Sequence, residues 1–329
     1  MAKLRNLLSV SVLAALTLGA STAAAQEYPT RTVTIVVPLA AGTGMDIVTR
    51  IYGDELAKVL GKPVVIENQP GAALTLAAQN VAKATPDGHT LLVNATMQLS
   101  APHILVKKVN YDVERDFVPI AVYLSSPFVL IVHNGLGTPT LKDFVARAKA
   151  SSAAPLTFAT TGGGGFPHLT MEMIKTELGF PATHVPYRNT GQIITDVVAG
   201  HVASSMSETG AALSLIKEGK LTALAISAGT RLPQLPDVPT VAEAADRPGF
   251  DVASWHALVA PSGTPRPIVD RLVKEMHRIT GDPAFQQRVA QTGLIPRRPM
   301  AAEELGAFMQ AERKRWTAFV KSLGLEGPP

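Results

Sequence analysis

Short apolar strands alternate with amphipathic helices along this chain, and no other feature limits its fold as strongly. The β-branched run Thr32–Val37 ends at a proline and predicts a buried strand. Residues Asp46 to Leu60 follow with apolar side chains on one helical face, and Gly61 ends that helix. The same order recurs from Leu156–Thr160 onward. Such alternation predicts an α/β fold of parallel sheets with covering helices.

The strand–helix units fall into two groups. The chain leaves the first group near Ser125–Pro127 and returns near Ala228–Val252. We therefore expect two α/β domains joined by two crossings. The first domain is discontinuous, formed by residues 26–125 and 228–329, and residues 126–227 form the second domain.

The first 25 residues differ from the rest of the chain. Lys3 and Arg5 precede a short apolar core, and Ala23–Ala25 provides small residues for cleavage. This pattern predicts a secretory signal peptide over residues 1–25, because the apolar run is too short to cross a membrane. No later stretch approaches about 20 consecutive apolar residues. We expect a soluble periplasmic protein, and the absence of cysteine means that it has no disulfide bonds.

Charge and composition exclude several classes of partner. The net charge is +4, and lysine and arginine form no basic stripe with aromatic residues between them. Nucleic acid is therefore not an expected partner. The eight histidines are scattered without a pair at i, i+4, so neither a metal nor a cofactor is expected.

Two glycine-rich turns follow strands and open helices, at Ala40–Met45 and Thr160–Pro167. A helix start presents unpaired N–H groups and partial positive charge, which suit an anion. The first turn has no third glycine at the dinucleotide spacing, and the second lacks the Lys-Ser/Thr of a P-loop. Because few cationic side chains lie near either turn, a carboxylate fits better than a nucleotide phosphate.

Asp46 and His168 are the titratable groups at these turns. An acid/base pair across a cleft is one interpretation, which would make the protein an exported hydrolase or isomerase. The chain has no G-x-S-x-G elbow, no H-E-x-x-H and no cysteine nucleophile. The alternative is that both residues are structural. Asp46 would cap its helix, and His168 would make a polar contact at the start of its own helix.

Further polar residues follow other strands and are candidates for the wall of a cleft. These candidates are Asn94, Gln98, Tyr187 and Glu208. The alternative is a plain polar loop for Asn94 and Gln98, an exposed turn for Tyr187 and a surface ion pair for Glu208.

An ordered set of motifs resembles a known family. It includes "YPTRTVTIVVPLAAGTGMDIVTR", "GKPVVIENQPGAA", "FATTGGGGFPHL", "HVPYRNTGQIITDVVAGHV" and "WHALVAPSGTPRPIVDRL". The set is similar to the Bug-type periplasmic receptors of tripartite tricarboxylate transporters, from about Tyr28 to the C-terminal helix. The resemblance implies a two-domain, type II-like periplasmic binding protein with its ligand cleft between the domains.

The resemblance also implies which residues hold the ligand. In such receptors each domain contributes one strand–loop–helix, whose backbone amides and ordered waters hold a carboxylate. Thr43 adds a hydroxyl to the first loop, and Phe166 makes an aromatic contact possible in the second. The implied residues are Ala41, Gly42, Thr43, Gly44, Met45 and Asp46, with Thr160, Thr161, Gly162, Gly163, Gly164, Gly165, Phe166 and His168.

The function implied is that of a receptor without chemistry of its own. It would capture a small carboxylate, either a di- or tricarboxylate or an aromatic acid, and deliver it to membrane permease subunits as a monomer. A ligand-binding partner of a membrane sensor is an alternative that the sequence does not separate from transport.

Overall fold

A computed structural model describes residues 28–102, 109–151 and 153–324. The predicted signal peptide lies outside the described residues. The strands are β1 (Val33–Val37), β2 (Val64–Asn68), β3 (Thr90–Ala95), β4 (Phe117–His133), β5 (Leu156–Thr161), β6 (Ala182–Tyr187), β7 (Ser204–Glu208), β8 (Leu221–Ile226), β9 (Ala253–Pro261) and β10 (Ile295–Pro296). The helices are α1 (Gly44–Leu60), α2 (Thr75–Val81), α3 (Thr96–Ser100), α4 (Val113–Asp116), α5 (Leu141–Ala150), α6 (Phe166–Leu178), α7 (Thr190–Ala199), α8 (Thr209–Lys217), α9 (Val241–Ala245), α10 (Arg266–Gly281), α11 (Pro283–Gln291) and α12 (Ala302–Ser322).

The strands form one continuous path with two halves. Their order is β2-β1-β3-β9-β4-β7-β5-β6, and β8 and β10 also pair with β4. Within each half the strands that carry the glycine turns are parallel to their neighbours: β1 to β2 and β3, and β5 to β6 and β7. The predicted parallel pairing holds for these strands but not at the centre, where β9 and β4 run antiparallel to the strands beside them.

Strand β4 carries the chain from one half to the other. Its first part pairs with β9 as far as Pro127, which lies opposite Ala253. From Phe128 onward it pairs with β7 and β8 instead. The crossing expected near Ser125–Pro127 is therefore the middle of one 17-residue strand.

Helices cover both faces of each half. In the first half, α1, α10 and α11 pack on one face, and α2, α3 and the start of α12 pack on the other. In the second half, α5, α6 and α9 cover one face, and α7 and α8 cover the other. Apolar residues at helical spacing supply these contacts, as the sequence pattern predicted.

Two segments assigned by sequence to the first domain also pack on the second half. Val241 and Val252, on the return crossing, lie in the core that contains Phe128. Trp316 and Val320, near the end of α12, lie in that same core. The domain limits at 125/126 and 227/228 stay a proposal.

None of the helices in the described part of the chain has the length and apolarity of a membrane span.

Candidate functional site

The first glycine turn joins β1 to α1. Gly42 has a φ of 83°, a left-handed backbone that glycine adopts without steric cost. The Thr43 hydroxyl donates to the Ala40 carbonyl at 2.9 Å, inside the turn. Thr43 is also the N-cap of α1, but its side chain caps no N–H group. The N–H groups of the first helical turn, which have no intrahelical acceptors, therefore face the turn and the space beyond it.

Asp46 holds this turn in shape. It is the third residue of α1, and its carboxylate accepts the Gly42 N–H at 2.8 Å. Arg50 donates to both carboxylate oxygens, and the Asn68 amide donates at 2.9 Å. Burial alone would raise the pKa of Asp46, but the hydrogen bonds from Arg50, Gly42 and Asn68 outweigh it and keep that pKa below its ordinary value. Asp46 was expected to cap the first turn of its own helix. It instead accepts the N–H of Gly42, the residue before the N-cap Thr43.

The second glycine turn joins β5 to α6. Gly162 and Gly164 have φ values of 69° and 75°. The Gly162 N–H donates to the Tyr187 carbonyl at 3.0 Å, and the Gly164 N–H donates to Nδ1 of His168 at 3.0 Å. Gly165 is the N-cap of α6 and has no side chain to cap the first turn.

The two turns share one arrangement. In each, the third residue of the helix accepts the N–H of a left-handed glycine four positions earlier: Asp46 from Gly42, and His168 from Gly164. The side chains of Asp46 and His168 can reach the N–H of a glycine four positions earlier only when the glycine turn folds over the start of the helix. Both helix starts are consequently presented in the same way, at the carboxyl ends of parallel strands.

An aromatic cluster supports His168. Its ring stacks on His184 with centroids 4.0 Å apart, and His184 Nε2 hydrogen-bonds the Thr160 hydroxyl at 2.7 Å. Because Nδ1 of His168 accepts an N–H, the proton of the neutral ring lies on Nε2, 3.6 Å from Glu172. Burial, with the neighbouring His168, lowers the pKa of His184 to about 4. Asp46 and His168 are each engaged by their own turn, which supports the structural interpretation of both.

Phe166 does not lie where an aromatic contact with ligand was expected. Its side chain is 7% exposed, and its ring stacks on Phe128 and tilts against Trp316 at 4.8 Å between centroids. The ring is part of the hydrophobic core of the second half, because Phe166, the first residue of α6, points into that core.

The other polar candidates are placed differently from one another. Asn94 is completely buried, and its side-chain oxygen accepts the Ala95 N–H. Gln98 lies on α3 and is 5% exposed, so the segment is a helix rather than the polar loop that was considered. The Tyr187 hydroxyl donates to Asp196 at 2.7 Å, which raises the pKa of Tyr187 to about 12. These contacts keep the side chains of Asn94 and Tyr187 within their own halves.

Glu208 is the candidate whose side chain lies where the two halves meet. It ends β7, and its side chain remains exposed to solvent. A β-carbon placed on Gly44 would lie 3.6 Å from its Oε2 atom, so the carboxylate stands at the start of α1. Glu208 also lines a small space of about 20 Å³ with Thr161, Pro167 and Thr190. The two glycine turns and Glu208 therefore border one cleft.

Sequence reasoning missed Arg50 and Asn68. Arg50 lies one helical turn after Asp46, a spacing that could have indicated an ion pair. Asn68 comes from the neighbouring strand, and only the register of β1 with β2 brings it to the turn.

A larger cavity of about 290 Å³ lies at the crossings and not at the glycine turns. Ser125, Trp255, Arg297 and Glu312 are among its lining residues. Glu312 accepts the indole N–H of Trp255 at 2.8 Å, and Arg297 lies over Phe308 at 4.7 Å. No group of three metal-ligating side chains is assembled within residues 28–102, 109–151 and 153–324.

This fold, with paired turns facing one cleft, is that of a two-domain solute-binding protein. Residues 48–325 match the model of the tripartite tricarboxylate transporter family receptor. The chain belongs to that family, which confirms the resemblance seen in the sequence.

Relatives along nearly the whole chain agree with the family assignment. A UPF0065 protein from the tcbD-tcbE intergenic region of Pseudomonas sp. (strain P51) is 34% identical over 295 residues, covering 89% of this chain and 86% of its own. Protein BugT of Bordetella pertussis is 30% identical over 306 residues, covering 93% of each.

Solved structures confirm the two-domain α/β fold. Rpa4515 of R. palustris with adipate superposes with a TM-score of 0.82 at 29% identity, over 92% of this chain and all of its own. MatC of Rhodopseudomonas palustris with bound malate gives 0.76 at 36% identity, over 89% of this chain and all of its own. The periplasmic binding protein BugD gives 0.77 at 32% identity, over 92% of this chain and all of its own.

Proposed function

We propose that this protein is a periplasmic receptor that captures a small carboxylate between its two glycine turns and delivers it to a membrane permease. The observation that carries the proposal is the shared arrangement of the turns, one on each half of the sheet. The relatives with adipate and malate bound support the class of ligand.

Backbone groups supply the attraction for the anion. The first turns of α1 and α6 offer N–H groups and the positive ends of two helix dipoles. Asp46 and His168 orient those groups by tying Gly42 and Gly164 to the helices behind them. A carboxylate bound this way needs no cationic side chain.

Location and partners extend the proposal. Residues 1–25 would direct export and be removed, leaving a monomer that meets the permease subunits at the membrane. Uptake of the labelled ligand by a deletion strain, with and without a plasmid copy of the gene, tests delivery; unchanged uptake would oppose it. Light scattering during gel filtration tests the monomer.

The central experiment is a binding screen on protein that has been unfolded, dialysed and refolded to remove any ligand carried from the host. Mono-, di- and tricarboxylates and aromatic acids are compared by melting temperature and by calorimetry. A ligand at 100 times its Kd should stabilise the folded state by about 2.7 kcal/mol. The control is the neutral amide of the best acid, and binding of that amide as tightly as the acid would contradict the proposal.

A further inference from the structure

Glu208 places a carboxylate inside a site that is built to receive a carboxylate. Its Oε2 atom lies 3.6 Å from the position of a β-carbon on Gly44, the first residue of α1. The N–H groups of that same helical turn are those expected to hold the ligand. The side chain reaches this place from the other half, at the end of β7.

The surroundings of Glu208 offer its charge no partner within the described part of the chain. Its side chain caps no N–H group of α8, although Glu208 is the N-cap residue. It is the one ionisable residue lining the small space beside Thr161 and Thr190.

A ligand carboxylate at the start of α1 would accept N–H groups at about 2.9 Å. It would then stand only a few ångströms from Glu208, and two carboxylates so close repel each other. The repulsion becomes attraction when the ligand carries a cation between the two groups. An ammonium on the carbon next to the carboxylate occupies that position.

We propose that Glu208 is a specificity-determining residue that selects α-amino acids over plain mono- and dicarboxylates by pairing with the α-ammonium group. This inference rests on the proposed function, because it assumes that the ligand carboxylate binds at the glycine turns. The proposal concerns only the α-carboxylate and α-ammonium end of the ligand, and the side chain of the ligand would contact the rest of the cleft.

The test uses acid pairs that differ only in the α-amino group: L-aspartate and succinate, L-glutamate and glutarate, L-leucine and 4-methylpentanoate. Calorimetry on the refolded wild-type protein should give at least one pair in which the amino acid binds about tenfold or more tightly. Glu208→Gln keeps the size of the side chain and removes its charge. In this variant the amino acid should bind more weakly, the plain acid more tightly, and the ratio should fall below about threefold.

Glu177→Gln is the matched control. Glu177 is exposed at the far end of α6, so the variant makes the same charge change in the same half without touching the cleft. It should leave the ratio unchanged, and circular dichroism checks that both variants fold.

The outcomes separate the two proposals. Plain acids that bind wild type as tightly as their amino acids, or a preference that survives in Glu208→Gln, would overturn the role of Glu208 alone. Failure of every carboxylate, with or without an amino group, would overturn the proposed function as well.

Discussion

At the scale of single residues, Asp46 shows how one side chain organises a backbone turn. Its carboxylate accepts N–H groups from Gly42, Arg50 and Asn68, and its side chain is almost completely buried. Asn68 in turn donates to the Leu39 carbonyl at 2.9 Å. Asp46 therefore links the turn, the helix and the neighbouring strand β2.

Asp46→Asn should destabilise the protein. The asparagine amide would face donors from Arg50 and Asn68, which leaves buried hydrogen-bonding groups unpaired. We expect a loss of about 1–3 kcal/mol in the free energy of unfolding at pH 7, measured by urea denaturation. Asp270→Asn is the control, because its i, i+4 pair with Arg266 is exposed and should contribute less than about 1 kcal/mol. Equal losses in the two variants would contradict this role of Asp46.

The effect of Asp46→Asn should also depend on pH. The pKa of Asp46 is lowered in the folded protein. Its charge therefore adds stability that is fully present above the unfolded-state pKa of about 3.9 and is lost as the pH falls through the folded-state pKa. The difference between wild type and variant should accordingly shrink below about pH 4. A difference that stays constant down to pH 2 would show that the charge is not its cause.

Local contacts at the site could be predicted from the sequence, and long-range contacts could not. Asp46 and His168 lie four positions after their glycines, so a role in ordering the turn follows from helix geometry. Phe166 was expected to face the ligand, but its direction depends on Phe128 and Trp316, which are distant in sequence. The position of Glu208 opposite Gly44 depends on how the two halves meet.

At the scale of elements, a glycine turn and a helix start form one working unit. Gly44 opens α1, and Thr43 before it has φ −75° and ψ 160°, a conformation that a following proline accepts. Proline is well tolerated at the first helical position, where it removes an N–H group without breaking the helix. The unit can therefore lose a single donor while keeping its shape.

Gly44→Pro should weaken carboxylate binding more than Gly44→Ala does. Both add a β-carbon, which meets Glu208 at an ordinary 3.6 Å, but only proline lacks the N–H. A hydrogen bond to a charged group contributes about 1.5–3 kcal/mol, so the acid that binds wild type best should lose roughly 10- to 100-fold in affinity. Calorimetry on both variants measures it. Equal affinities of the proline and alanine variants would show that this N–H does not hold the ligand.

The elements with clear periodicity were predicted well, and those defined by pairing were not. Helix α1 was expected from Asp46 and begins at Gly44, because the turn closes two residues earlier. Strand β4 was not predicted as one element, since its 17 residues are mostly buried without alternation and their pairing changes partners at Pro127 and Phe128. Its antiparallel position follows from contacts with β9, more than 100 residues away in sequence.

At the scale of the whole molecule, β4 and α12 connect the two halves. The strand gives them a shared backbone, and the helix packs on both cores: Leu305 and Met309 on the first, Trp316 and Val320 on the second. Trp316 touches Phe166, the first residue of α6, so the C-terminal helix also supports the second glycine turn. Stability of the site and of the halves should therefore depend on this helix.

Trp316→Leu should lower the stability of the whole protein. Trp316 is completely buried, its ring lies 4.8 Å from that of Phe166, and its indole N–H donates to Glu312 at 3.0 Å. The smaller side chain leaves a cavity and removes the hydrogen bond to Glu312. We therefore expect a loss of about 2 kcal/mol or more in the free energy of unfolding. Circular dichroism during urea denaturation measures the loss without relying on the deleted fluorophore. Phe319→Leu, on the same helix but only partly buried, is the control and should cost about half as much or less. A Trp316→Leu loss below that of the control would contradict this role of Trp316.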